Sequence, residues 1–147
     1  MTIDHLDAQV RARAKVGPRV KTLTALPGVG QFTALVIVAE IGDISRFPSA
    51  RKLASWAGLT PTVRGSDLKI RHGHISKQGS VWLRWALNQA AQTAKRSPEF
   101  ATSYSAIAKR RGKKIATIAI ARKLVTRAWH LLNEMQAADA STPLRQP

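Results

Sequence analysis

The sequence predicts a mainly α fold: a helical domain containing a helix-hairpin-helix and an irregular Gly-rich loop, and closing on long C-terminal helices. Three observations predict it. Apolar residues recur at spacings of three and four over most of the chain, which is the period of a helix with one buried face. Ser, Pro and Gly stand where helix starts and stops are required. Between Leu59 and Gly79 the periodicity disappears, and Gly, Ser, His and basic residues dominate.

Taken in order, Leu6, Val10 and Ala14 have helical spacing, and residues 1–17 are expected to be the remnant of a longer linker or coiled-coil helix. Pro18 suits the first position of a helix through Val20 and Leu23, which Leu26-Pro27-Gly28-Val29-Gly30 interrupts. Phe32 to Ile41 is apolar nearly throughout; Val36, Ile37 and Val38 leave a strand open, but ten residues is long for one, and Gly42 is placed to end a helix. Ser49 caps Ala50 to Ala57, with Leu53 and Trp56 on one face and Gly58 at the exit. Leu59 to Gly79 is a loop or an irregular hairpin. Ser80 caps a long helix striped by Leu83, Ala86, Leu87, Ala90 and Ala94. A further helix from Pro98 to Arg110 ends near Gly112, and the last runs from about Lys114 to Gln136 on Ile118, Ala121, Val125, Ala128 and Leu132. The domain therefore spans 18–137, with the helix-hairpin-helix near 20–41 and a flexible tail at 138–147. Trp56, Trp82, Trp85 and Trp129 could stack on bases, but all four fall in these helices, and core or inter-domain packing is the favoured reading.

Composition narrows the function. With 147 residues and 44% hydrophobic content, the chain can bury one ordinary core. The absence of cysteine excludes disulfides and thiolate metal sites and fits a cytoplasmic protein. No apolar run approaches a bilayer span and no basic amphipathic anchor is present, so no membrane partner is expected. The charge is the strongest compositional fact: 24 Lys and Arg against 8 Asp and Glu, a net +16. Such a field favours a polyanion, and nucleic acid first, because every phosphate neutralised releases counterions. A structural, ribosome-like protein would share the charge but would explain neither the hairpin nor the Gly-rich loop.

Leu26-Pro27-Gly28-Val29-Gly30 between two helices has the form of a helix-hairpin-helix, in which Gly28, Val29 and Gly30 would hold a phosphate. Its two glycines would permit positive φ and let the anion reach the amides at the start of the next helix. A plain αα-turn is the alternative. Lys109, Arg110, Arg111, Lys113 and Lys114 join two helices around Gly112, and Arg122, Lys123 and Arg127 continue the charge, with no acidic residue between Phe100 and Asn133. A solvated face usually mixes signs, so this run is read as a phosphate-tracking patch. His72 and His74 lack carboxylate or thiolate neighbours, and Glu40 and Asp43 at a helix end suit capping or solvation; no metal site is expected. The eight scattered acids offer no cluster for Mg²⁺.

Four ordered blocks carry a resemblance: Leu26 to Ala34, Glu40 to Phe47, Leu53 to Pro61, and Gly73-His74-Ile75-Ser76-Lys77-Gln78-Gly79. Together they resemble the C-terminal transposase domain of the insertion-sequence 110/116/902 family, which is similar to the Piv-type invertases. The resemblance implies a two-part enzyme in which an N-terminal RuvC-like domain holds Mg²⁺ on a DEDD acidic set. A coiled coil then leads to a C-terminal domain that supplies a serine nucleophile for DNA recombination guided by a structured bridge RNA. By that resemblance Ser66, in Arg64-Gly65-Ser66-Asp67, inherits the nucleophile's place, although the family's usual Gln-Ser-Gly is changed on both sides; Ser76 is the second choice. Arg64, Lys69, Arg71 and Lys77 are assigned to phosphate. The implied partners are DNA, bridge RNA, and a full-length transposase or a further copy of this chain. Mg²⁺ would enter only through the acidic domain, with no cofactor held by this chain alone. The expectation is a recombinase domain inactive by itself; the alternative is a binding-only module that grips nucleic acid or a full-length transposase.

Overall fold

The computed structural model describes residues 17–66, 69–75 and 80–141, with side chains outside 61–75 and 140–141. It is mainly helical, as the periodicity predicts. The elements are α1 (Pro18–Leu23), α2 (Gln31–Ile41), a 3-10 turn (Ile44–Arg46), α3 (Ala50–Trp56), β1 (Pro61–Ser66), β2 (Lys69–Ile75), α4 (Val81–Ala94), α5 (Ala101–Arg111) and α6 (Lys113–Ser141).

The helix boundaries follow local chemistry. Pro18 opens α1, where its missing N–H costs nothing. Gly42 closes α2 at φ 66°, its N–H donating to the Val38 carbonyl, so the strand alternative for this segment is excluded. The Ser49 hydroxyl accepts from the Lys52 amide at the start of α3, and Ser80 accepts from the Leu83 amide at the start of α4. Two boundaries differ from expectation. Pro98 to Phe100 form a turn, whose exit is fixed by the Phe100 and Ala101 amides donating to the Ser97 carbonyl, so α5 begins at Ala101. Ala137 to Ser141 are rich in helix formers and extend α6 to 29 residues, into the segment expected to be tail. Residues 1–16, expected as linker helix, and 142–147 lie outside the described residues.

The Gly-rich segment is a hairpin rather than a loop. β1 and β2 pair antiparallel, with Arg64 opposite Arg71, Gly65 opposite Ile70 and Ser66 opposite Lys69, and a register shift between Pro61 and Val63. Thr62, Val63, Ile70 and Ile75 give it β-branched content that the surrounding glycines obscure in the sequence.

α6 is the spine. It packs against α1, α3, α4, α5 and the 3-10 turn, and α4 in turn packs against α2. Leu83, Ala86, Leu87 and Ala90 from α4 meet Ile120, Ala121, Leu124, Val125 and Ala128 from α6 in one buried cluster with Leu23, Ile37, Ile41 and Leu53. Small residues at 86, 90, 121 and 128 let the two helix axes approach, while each fully buried Leu or Ile contributes about 1.5–3 kcal/mol. No helix among the described residues is long and apolar enough to cross a membrane.

Candidate nucleic-acid interface

The turn between α1 and α2 is the first predicted contact. Gly28 has φ 77°, and a Cβ placed on it would lie 2.2 Å from the Ala90 carbonyl oxygen and 3.0 Å from the Ala94 amide nitrogen. The close approach that this glycine permits is thus that of the α4 backbone. Val29 is buried in the core and its N–H donates to the Leu26 carbonyl. Gly30 corrects the expectation of positive φ: it sits at φ −86°, ψ −179°, is exposed, and caps α2 with no side-chain hydrogen bond. Nothing lies within 4 Å of its would-be Cβ. Of the three residues Gly30 is the most exposed, beside a start of α2 that has no side-chain cap, while Gly28 is half-buried.

The second predicted contact is the α5–α6 corner. Lys109, Arg110 and Arg111 form the last turn of α5, where cations complement the carbonyl end of the helix. Gly112 turns the chain at φ 96°. Lys113 and Lys114 then open α6 at its amide end, with no acidic residue in the first turn. Two ammonium groups at the positive end of a helix oppose its dipole, an arrangement that an anion would relieve. All six residues from Lys109 to Lys114 are exposed.

This corner borders a cleft of about 430 Å³ lined by Asn88, Gln92 and Lys95 of α4's face and by Lys113, Lys114, Thr117 and Ile118 of α6. Three lysines and no carboxylate line it. Lys95 Nζ donates to Gln92 Oε1 at 3.0 Å and lies 5.3 Å from the Tyr104 ring centroid, which holds the ammonium at the rim. The Thr117 hydroxyl is occupied by the Lys113 carbonyl at 2.9 Å, and Asn88 Oδ1 is buried without a partner. Asn88, Gln92, Lys95 and Thr117 escape sequence reasoning, although Asn88, Gln92 and Lys95 repeat at four and three opposite the apolar stripe of α4. What the sequence lacks is the pairing of that face with the start of α6.

The further cations of α6 are partly committed: Arg127 pairs with Glu99, and Lys123 Nζ donates to Ser103 Oγ at 3.0 Å. A second cleft, of about 460 Å³, lies between α1, the 3-10 turn and the far end of α6. It mixes Arg19 with Asp43 and Asp139, a balance unsuited to a polyanion. There Asp43 Oδ1 accepts from the Ser45 amide at 2.9 Å, and this backbone hydrogen bond, before the Ser45 hydroxyl, Gln136 and Arg19, holds its carboxyl below the usual carboxylate range. Glu40 accepts from the Ser80 hydroxyl at 2.7 Å. Both acids serve local structure.

In the hairpin, the register puts Ser66 at the end of β1 opposite Lys69, two rungs from the Arg64–Arg71 pair. Ser76 and Lys77 lie outside the described residues. Among the described residues no group of three His, Asp or Glu is placed to hold a metal ion, so Mg²⁺ finds no fitting donor set there.

The tryptophans divide into two pairs. Trp129 Nε1 donates to the Phe47 carbonyl at 3.0 Å and Trp56 packs on Phe47 at 5.2 Å, as expected of packing residues. Trp82 and Trp85 do not join the core: both are exposed on α4, away from its Leu83–Leu87 face, which leaves packing against another domain or stacking on bases as their readings.

The fold and this surface define a basic, helical domain with an exposed cationic corner. The family model described as Transposase IS116/IS110/IS902 family matches residues 20–105, more than half of the chain, and the chain belongs to that family. It is 32% identical over 140 residues to the insertion element IS110 uncharacterized 43.6 kDa protein of Streptomyces coelicolor, covering 94% of this chain and 35% of the relative. The transposase for insertion sequence element IS1111A of Coxiella burnetii is 32% identical over 139 residues, 91% of this chain and 38% of the relative. The pilin gene-inverting protein of Moraxella bovis is 32% identical over 146 residues, 94% of this chain and 45% of the relative. The chain thus spans less than half the length of these relatives.

Proposed function

We propose that this chain is the nucleic-acid-gripping part of an insertion-sequence recombinase, holding the phosphate backbone of DNA, and of a structured guide RNA, on the α5–α6 corner and its lysine cleft. The observation that carries this reading is the carboxylate-free cleft of Lys95, Lys113 and Lys114 at the amide end of α6. The start of α2 beside Gly30 is a second backbone contact.

The chemical role proposed for the chain is to present Ser66. Its Oγ gives its proton to a base and attacks the phosphorus of a phosphodiester; a serine–phosphate bond forms, the bond to the deoxyribose oxygen breaks, and that oxygen takes a proton from solvent and leaves as a free hydroxyl. The link keeps the energy of the broken bond for rejoining. Arg64, Lys69 and Arg71 on the same hairpin offset phosphate charge but cannot serve as that base. A RuvC-like acidic domain of the kind the family resemblance implies would supply Mg²⁺ chemistry; the described residues do not.

The experiment supplies such a domain from a close relative, in cis or in trans, with Mg²⁺ and cognate guide RNA, and looks for a covalent protein–DNA adduct. Wild type forms it, Ser66→Ala does not, and the unsupplemented chain neither cleaves nor joins DNA. An adduct surviving Ser66→Ala but absent from Ser76→Ala moves the role to Ser76. No adduct from any combination, with binding intact, leaves a binding-only module.

A further inference from the structure

The solvent side of α4 is one continuous ridge with two different ends. At its start Trp82 is 64% exposed and Trp85 43%, with Phe32 of α2, 47% exposed, beside them. Trp85 meets Trp82 at 6.4 Å and 78°, and Phe32 at 6.5 Å and 90°. Edge-to-face contacts of this kind brace the rings without stacking them parallel on one another. Large apolar side chains held open to water in a contiguous group mark a binding surface.

Its other end is the lysine cleft. Asn88, Gln92 and Lys95 follow Trp85 at spacings of three, four and three, so the indole and the cleft-lining residues share one side of the helix. From Trp85 to Gln92 the rise is about 10 Å, which is roughly three nucleotide steps of about 3.4 Å each. A strand whose phosphates sit between Lys95, Lys113 and Lys114 therefore runs its neighbouring bases across Trp85 and Trp82. Charge decides the occupant: the adjoining cleft has three lysines and no acid, and the whole chain carries +16. Duplex bases are already stacked and offer no free face; unpaired ones do.

We propose that Trp85 and Trp82, braced by Phe32, form a stacking platform for unpaired nucleobases of the strand whose backbone occupies the lysine cleft. This rests on the nucleic-acid reading above and adds to it a preference for unpaired segments. Stacking on an aromatic ring is tolerant of base identity and is insensitive to salt, whereas the phosphate grip is not.

The test uses the full chain with unlabelled dodecathymidylate, dodecauridylate and a DNA duplex of the same length, followed by tryptophan emission. Quenching by either single strand and not by the duplex supports the platform, and the oligomer that quenches more strongly says whether DNA or RNA supplies the bases. Trp85→Ala lowers single-strand affinity about ten-fold and leaves duplex affinity unchanged, while Trp85→Phe keeps most of it. Equal binding of all three probes without quenching overturns the platform and spares the phosphate reading; failure to bind any of them overturns both. Self-association abolished by Trp82→Ala, with no quenching, assigns the face to a second copy of the chain and overturns the proposal.

Discussion

Gly28 and Gly30 are two residues apart and do opposite things. At Gly28 both the φ of 77° and the 2.2 Å approach to the Ala90 carbonyl demand glycine, and the neighbour is backbone that cannot rotate aside. Gly28→Ala should lose about 2 kcal/mol or more in urea denaturation, by separating α4 from the α1–α2 turn. Gly30→Ala meets open space at ordinary φ and should fold within about 0.5 kcal/mol of wild type. That makes it a clean probe of phosphate approach: weakened DNA binding in a folded Gly30→Ala would support the contact at the start of α2, and unchanged binding would leave a plain αα-turn. Asp43 is the residue for a pH experiment. Its depressed carboxyl contributes stability above the ordinary value of 3.8 and loses it as pH falls through the lower folded value. The stability gap between wild type and Asp43→Ala should therefore be widest near neutrality and narrow in acid; a gap constant with pH would contradict the assignment.

At the scale of elements, capping residues and periodicity make the helices legible in the sequence alone. Ser49, Ser80 and Gly42 stand where their chemistry requires. Ser80 does more than the capping rule says, since its hydroxyl also donates to Glu40 and so ties α4 to α2. Ser80→Ala should cost about 1 kcal/mol for the cap, measured by thermal or urea unfolding, and Ser49→Ala, with a cap alone, should not exceed it. The hairpin is less legible because its β-branched residues are interrupted by Gly65 and Gly73, and alternation over six or seven residues is a weak signal. For Trp82 and Trp85 the sequence leaves core packing, inter-domain packing and stacking open for a different reason: membership of a helix does not say which side of it is buried, and Leu83, Ala86 and Leu87 occupy the inner one.

Across the whole molecule, the net charge of +16 leads to the expectation of a polyanion partner but does not say where the cations gather. The run from Lys109 to Lys114 is visible as a string, yet three of its cations lie at the end of α5, where they also complement the helix dipole. The cleft forms only when the ridge of α4 is brought against the start of α6, a juxtaposition set by the buried contacts of Leu83, Leu87, Ile120 and Leu124. Lys95 joins Lys113 and Lys114 through tertiary packing, not proximity in the chain.

The central claim is that a localised site, rather than the diffuse +16 field, holds the nucleic-acid backbone. The direct measurement is the slope of log K against log salt for duplex DNA. It should be compared among wild type, the Lys95→Ala, Lys113→Ala, Lys114→Ala triple variant, and a control of equal charge reduction at the exposed Lys21, Arg51 and Lys52. The account predicts that the cleft variant's slope falls by about two to three, at roughly 0.9 for each phosphate that is no longer neutralised, while the control keeps the wild-type slope. An equal fall in both variants, or no change in the cleft variant, would contradict it.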